Sequence, residues 1–89
     1  MNIIFYNTRE ALEQFLINNN AEIQSKSYNQ VIAKIDDELY YCYRGLESSR
    51  GRRAQCGLID EEIPYYIVTN VLMPFCKDYR IINLRSAKL

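Results

Sequence analysis

Ser27-Tyr28-Asn29-Gln30-Val31-Ile32-Ala33-Lys34-Ile35-Asp36-Asp37-Glu38-Leu39-Tyr40-Tyr41-Cys42-Tyr43 admits two readings, and the fold turns on which is taken. As a helix, Ser27 and Gln30 make a capping box, and Val31, Ile32, Ile35 and Leu39 fall on one face. As a hairpin, Val31 to Ile35 and Leu39 to Tyr43 are strands flanking a tight turn at Asp36-Asp37-Glu38. The strand reading is favoured, although residues 27–38 stay open between the two. Three tyrosines within four residues are poor helix formers but pack well on a pleated surface. Paired aspartates suit a turn better than a helix interior.

Outward from this segment, Asn2 to Tyr6 holds Ile3, Ile4 and Phe5, a β-branched and aromatic run that reads as a buried first strand. Asn7 then starts a helix over about 7–18: its side chain caps, Glu10 reaches back, and Ala11, Leu12, Phe15 and Leu16 recur on one face. Asn18, Asn19 and Asn20 end it, because asparagine tolerates the left-handed conformation of a helix terminus. On the other side, Gly45 to Gly51 reads as a loop and Arg53 to Ile59 as a returning strand. Asp60, Glu61 and Glu62 precede Pro64, acids before a first-turn proline, which predicts a second helix over about 63–73 with Tyr65, Val68, Val71 and Leu72 buried. Pro74 ends or kinks that helix. Tyr79 to Leu84 reads as a last strand and a candidate neighbour of the first. The expectation is one α+β domain, residues 1–89, with an antiparallel or mixed sheet of 4–5 short strands and two helices.

At 89 residues there is room for a single hydrophobic core, and 48% apolar composition suffices to pack it. Eleven basic and eleven acidic residues cancel, which argues against a surface built throughout for polyanions. The distribution is uneven: residues 1–40 carry three basic against six acidic groups, residues 41–89 eight against five. Such a bipolar chain steers partners or self-associates head to tail, although the favoured reading is that these are ordinary solvated faces, as charge runs usually are. Cys42, Cys56 and Cys76 are odd in number and lack metal or redox spacing, so reduced thiols in a cytoplasmic protein are expected. No basic segment leads into an apolar stretch of secretory length, and Pro74 interrupts the apolar run Ile63 to Phe75, so no membrane association is expected.

Histidine is absent. That removes the usual general base, the usual partner of a catalytic serine or cysteine, and the commonest zinc ligand. Asp36-Asp37-Glu38 and Asp60-Glu61-Glu62 match neither a calcium loop nor carboxylates facing across a cleft, and read as a turn and a helix start. Gly45, Gly51 and Gly57 fit no nucleotide-binding spacing. No catalytic residue, metal site or cofactor is assigned, and no enzyme activity is expected.

What remains is the cluster of Arg44, Arg50, Arg52 and Arg53 beside Tyr40, Tyr41 and Tyr43. Arginine offers a rigid fork of donors for carboxylate or phosphate and stacks on aromatic rings, while tyrosine and arginine dominate interface hot spots. Tyr41, Tyr43, Arg44, Arg50, Arg52 and Arg53 are therefore the candidate partner-binding residues. The competing reading is a solvated loop, its arginines neutralised by Glu47, Asp60, Glu61 and Glu62.

Cys42-Tyr43-Arg44-Gly45, a polar loop, and Arg52-Arg53-Ala54-Gln55-Cys56-Gly57-Leu58-Ile59-Asp60-Glu61-Glu62 resemble a segment of small uncharacterised tailed-phage proteins, in which Cys-x-Tyr-Arg-Gly is followed by Lys-Cys-Ala-x-Gly-Cys-Leu-Ile-Pro-Asp-Glu. The likeness spans residues 42–62. Arg53 stands where that pattern has cysteine, Cys56 and Gly57 are exchanged relative to its Gly-Cys, and Asp60 replaces its proline. The resemblance implies a strand-loop-strand unit and a phage or mobile-element origin, and brings no activity with it. Together these features predict a small protein-interaction domain that inhibits or modulates a bacterial host protein. The alternatives are a nucleic-acid-binding protein using the same arginine loop, or a homo-oligomeric sponge for a small anionic ligand.

Overall fold

The strand reading of residues 27–43 holds in the computed structural model, which describes residues 2–45, 54–72, 74 and 76–89. β3 (Gln30–Ile35) and β4 (Glu38–Arg44) pair antiparallel, Ile32 opposite Tyr41 and Ile35 opposite Glu38. The turn is the two-residue Asp36-Asp37, both at positive φ (48° and 65°), the backbone that matches the twist of a tight hairpin; Glu38 already belongs to β4. Ser27 and Gln30 do pair locally, but in the preceding turn: the Gln30 amide donates to Ser27 Oγ at 3.2 Å and the Ser27 amide to Gln30 O at 2.8 Å. That turn joins β3 to β2 (Glu22–Lys26), a strand with every residue exposed.

β1 (Asn2–Tyr6) sits at the centre of the sheet, whose order is β2-β3-β4-β1-β5-β6. It pairs parallel with β4 on one side and with β5 (Ala54–Asp60) on the other, and β5 pairs parallel with β6 (Cys76–Ile82). Burial on both faces explains the unbroken Ile3-Ile4-Phe5-Tyr6 run, all at or below 2% exposure. The sheet is thus mixed, as expected, with six strands rather than 4–5. Two neighbour relations differ from expectation. β5 does not return beside β4, because the more apolar β1 occupies that position. β6 spans Cys76–Ile82 and lies at the edge beside β5, not beside β1.

α1 (Arg9–Asn18) connects β1 to the far-edge strand β2 and covers one face. Its cap is Thr8, not Asn7: Thr8 has extended backbone and its Oγ1 accepts the Ala11 amide at 3.3 Å. Ala11, Leu12, Phe15 and Leu16 pack on Ile4, Tyr6, Val31, Ala33, Ile35, Cys42, Leu58 and Leu84. The helix ends as expected, with Asn20 left-handed at φ 51°. Asn19 adds a tie to the C-terminal tail, its Nδ2 donating to Ala87 O at 3.1 Å and its Oδ1 accepting the Leu89 amide at 2.6 Å.

The opposite face is covered by a shorter element than the expected 63–73 helix. α2 (Tyr65–Ile67) is capped by Pro64, which therefore precedes the first turn, and continues as a π-helical turn over Val68–Leu72. Ile63, Ile67, Val68 and Leu72 pack on Ile3, Phe5 and Ile59, with Tyr41 and Tyr43 at the margin. Tyr65, expected to be buried, is 74% exposed. Among the described residues no helix is long and apolar enough to cross a membrane.

Candidate interaction surface

Successive side chains of β4 point to opposite faces, and this divides the expected cluster. Tyr40 and Cys42 face α1, while Tyr41 and Tyr43 face the α2 side. Tyr41 lies in register with Ile3 and Ile32, Tyr43 with Phe5 and Gln30, and both are half-buried. The Gln30 Nε2 donates to Tyr43 Oη, which orients that ring. Leu39, two residues before Tyr41 on the same side of the pleat, is 43% exposed. A row of Leu39, Tyr41 and Tyr43 with Ile32 alongside therefore runs along the margin of the α2 cover, exposed at Leu39 and half-buried at the two tyrosines.

Arg44 is in register with Tyr6, on the α1 side, exposed, with its Nε donating to Asn7 O at 3.3 Å. It does not stand on the tyrosine face. The chain leaves β4 at Gly45, whose amide donates to Tyr6 O at 2.8 Å and which lies against Ile63, on the Tyr41 and Tyr43 side. Arg50, Arg52 and Arg53 lie outside the described residues. Of the six candidate residues, Tyr41 and Tyr43 are thus brought together, and Arg44 is displaced to the other face.

The C-terminal ends of β4, β1, β5 and β6 share one edge of the sheet, the usual place for ligand sites on parallel strands. Asp60 and Glu62, read from the sequence as helix-start acids, meet there with Arg85, which the sequence did not single out. Asp60 is fully buried, its Oδ1 accepting the Glu62 amide at 3.1 Å and its Oδ2 the Asn7 amide at 3.5 Å. Arg85 donates through Nε to Glu62 Oε2 at 2.7 Å, and through its second guanidinium arm to Thr8 Oγ1 at 3.3 Å. Both groups are engaged within the fold: the Asp60 carboxylate closes the β5–α2 connection on backbone amides, and the Arg85 guanidinium ties three connections together. Asp60 was expected in a helix start. The signal for its burial is Leu58-Ile59 directly before it, a strand extending one residue into an acid.

The Cys42 thiol is pushed up to about 12 by burial, against a smaller opposing pull from Arg9. It is neutral at ordinary pH and is no nucleophile. Among the described residues no group of histidine, cysteine and acidic side chains is arranged to hold a metal ion. A cleft of about 550 Å³ opens between α1 and β2, floored by Leu12, Leu16 and Val31 and spanned by the Lys26–Glu13 ion pair at 3.6 Å. It went unseen in the sequence because β2 itself did.

No family model matches the chain, and neither a curated protein nor a solved structure does.

Proposed function

We propose that the chain is a small non-catalytic protein-interaction domain, an inhibitor or modulator that occludes part of a bacterial host protein. The observation that carries this reading is the row of Leu39, Tyr41 and Tyr43 along the margin of the α2 cover. Aromatic side chains fixed on a strand present large contact area and lose little rotamer freedom on binding, which is what hot spots require. The chain leaves β4 at Gly45, beside that row, and by residue type Arg50, Arg52 and Arg53, which follow in the sequence, are charge-assisted donors suited to an acidic partner. The chemistry of the remaining described groups also favours binding over turnover, since Asp60 and Arg85 are engaged internally and Cys42 stays protonated. A bacterial partner follows from the resemblance of residues 42–62 to tailed-phage proteins.

Affinity capture from a bacterial lysate, with and without nuclease, tests this. Replacing Arg52 and Arg53 together by alanine, or Tyr41 by alanine in protein whose circular dichroism is unchanged, should weaken capture by more than about tenfold. Capture unaffected by either change rules the surface out. Capture abolished by nuclease, with affinity falling steeply between about 50 and 200 mM salt, transfers the reading to nucleic acid.

A further inference from the structure

β6 is an edge strand, and its exposed residues form a pattern complementary to itself. Asp78, Tyr79, Arg80 and Ile81 are all exposed, and Ile81 is 47% so. Asp78 and Arg80 lie on the α1 face, in register with Cys56 and Leu58; Tyr79 and Ile81 lie on the other, in register with Gly57 and Ile59. The ion pairs among the described residues are Lys26–Glu13, Lys34–Asp37 and Arg85–Glu62, so neither Asp78 nor Arg80 has one.

The backbone fixes which residues can pair outward. Ile82 O accepts the Glu61 amide at 2.8 Å, so the backbone of Ile82 points toward β5. By alternation Arg80, Asp78 and Cys76 do the same, and the amides and carbonyls of Lys77, Tyr79 and Ile81 point away from the sheet. An antiparallel copy of β6 related by a two-fold axis at Tyr79 places Tyr79 opposite its own copy and Lys77 opposite Ile81. Both are hydrogen-bonded pairs, which satisfies every outward group of those three residues. The same register sets Asp78 opposite Arg80 of the second copy, twice. These are non-hydrogen-bonded positions, where opposing side chains approach most closely, and both members share a face. A shift of the axis to a neighbouring residue loses either the hydrogen-bond parity or the charge pairing.

We propose that β6 is a self-association edge: two copies pair antiparallel about Tyr79, with reciprocal Asp78–Arg80 ion pairs, into one continuous sheet. The geometry is isologous, so it closes at two chains and leaves no further β6 edge. β5 and β1 separate it from the Tyr41 and Tyr43 row, and it stands or falls independently of that surface.

Light scattering across about 10 µM to 1 mM, where oligomer population follows concentration, should show the mass of two chains emerging. Asp78→Arg alone, or Arg80→Asp alone, puts like charges opposite and should weaken association about tenfold or more, while the double exchange restores it. In a Cys76→Ser background, Tyr79→Cys should cross-link two chains and Ile81→Cys should not, because hydrogen-bonded antiparallel partners stand about 5.5 Å apart at Cα, within disulfide reach. A single-chain mass throughout, an association indifferent to the charge reversals, a double exchange that fails to restore it, or cross-linking at Ile81→Cys instead of Tyr79→Cys would each overturn the proposal.

Discussion

Arg85 and Glu62 form a two-pronged ion pair, Nε to Oε2 at 2.7 Å and the second nitrogen to Oε1 at 3.4 Å, and this pair joins the turn after β6 to the start of the α2 segment. The Glu62 hydrogen bond, then its charge, hold the Arg85 guanidinium protonated more firmly than usual. The pair is solvent-exposed, so salt screens it. Arg85→Ala should lower the melting temperature slightly in low salt, with the gap to wild type closing as salt is added. Arg85→Lys should recover little of it, since an ammonium cannot reproduce the fork that also reaches Thr8. A melting difference that persists in high salt would point to packing instead.

Asp60 lies under that pair, and its worth is of another kind. Its buried carboxylate accepts amides from Glu62 and Asn7, and Asp60→Ala removes the acceptors while leaving the donors in place. The two amides are only part-buried, so losing their acceptor falls at the lower end of the roughly 1–3 kcal/mol for an unsatisfied donor, and Asp60→Ala should lose about 1–2 kcal/mol in urea unfolding. Asp60→Asn keeps one side-chain carbonyl oxygen and should lose about half as much. Equal losses for the two variants would mean that the negative charge, not the acceptor geometry, matters there.

Cys42 makes stability depend on alkaline pH. Its ordinary value is 9.0, and in the folded chain the thiol is held protonated to about 12. The unfolded chain therefore releases this proton first, which favours unfolding. The contribution is intact below pH 9 and is lost as pH rises toward 12, at up to about 1.4 kcal/mol per pH unit. Subtracting the pH dependence of Cys42→Ala from that of wild type should isolate this slope. In a background with Cys56→Ser and Cys76→Ser, alkylation of Cys42 at pH 8 should proceed only through opening of the structure and accelerate with urea.

How far the sequence foretold the fold depends on whether the deciding interaction is local. The β3–β4 hairpin and α1 were legible because alternation, helical spacing and Asn20 are read within a few residues. β2 was not: Glu22-Ile23-Gln24-Ser25-Lys26 has one apolar residue and buries none of its residues, and it is a strand because β3 offers it a ladder. The position of β5 was hidden for the same reason, since a strand returning beside β4 and one crossing β1 carry the same local pattern. The continuous Ile3-Ile4-Phe5 run did mark β1 as buried on both faces, a property of a central strand. At the candidate surface, residue types pointed to Tyr41, Tyr43 and Arg44 together. The period of two in β4 then sets Arg44 on the far side of the sheet.

The hairpin turn leaves room for improvement. Asp36 and Asp37 both occupy positive φ, where a β-carbon is disfavoured and glycine is not. Asp37→Gly gives the Asp-Gly turn sequence that this geometry prefers and removes only the exposed Lys34–Asp37 pair at 3.8 Å. Relief of a left-handed backbone, about 1–2 kcal/mol, exceeds glycine's entropic cost of about 0.5–1 kcal/mol, so the variant should gain up to about 1 kcal/mol in urea unfolding. A loss would show that Asp37 holds the turn by more than its backbone.

Gly45 is required by space rather than by φ. It sits where β4 ends, against Ile63, and a β-carbon there would overlap Ile63 Cδ1 and lie 3.1 Å from Cγ1. Ile63 is 3% exposed and packed among Ile3, Phe5, Ile59, Ile67, Val68 and Leu72, so it has little freedom to withdraw. Gly45→Ala should therefore cost about 1–3 kcal/mol, the usual range for overpacking. Ile63→Val removes the Cδ1 methyl and by itself should cost about 1 kcal/mol. In the double variant the new methyl fills the space that Cδ1 vacates, and the total should fall below the sum of the single losses by roughly 1 kcal/mol or more. Strict additivity in urea unfolding would mean that the chain at Gly45 relaxes away from Ile63, and that the close approach does not set the path out of β4.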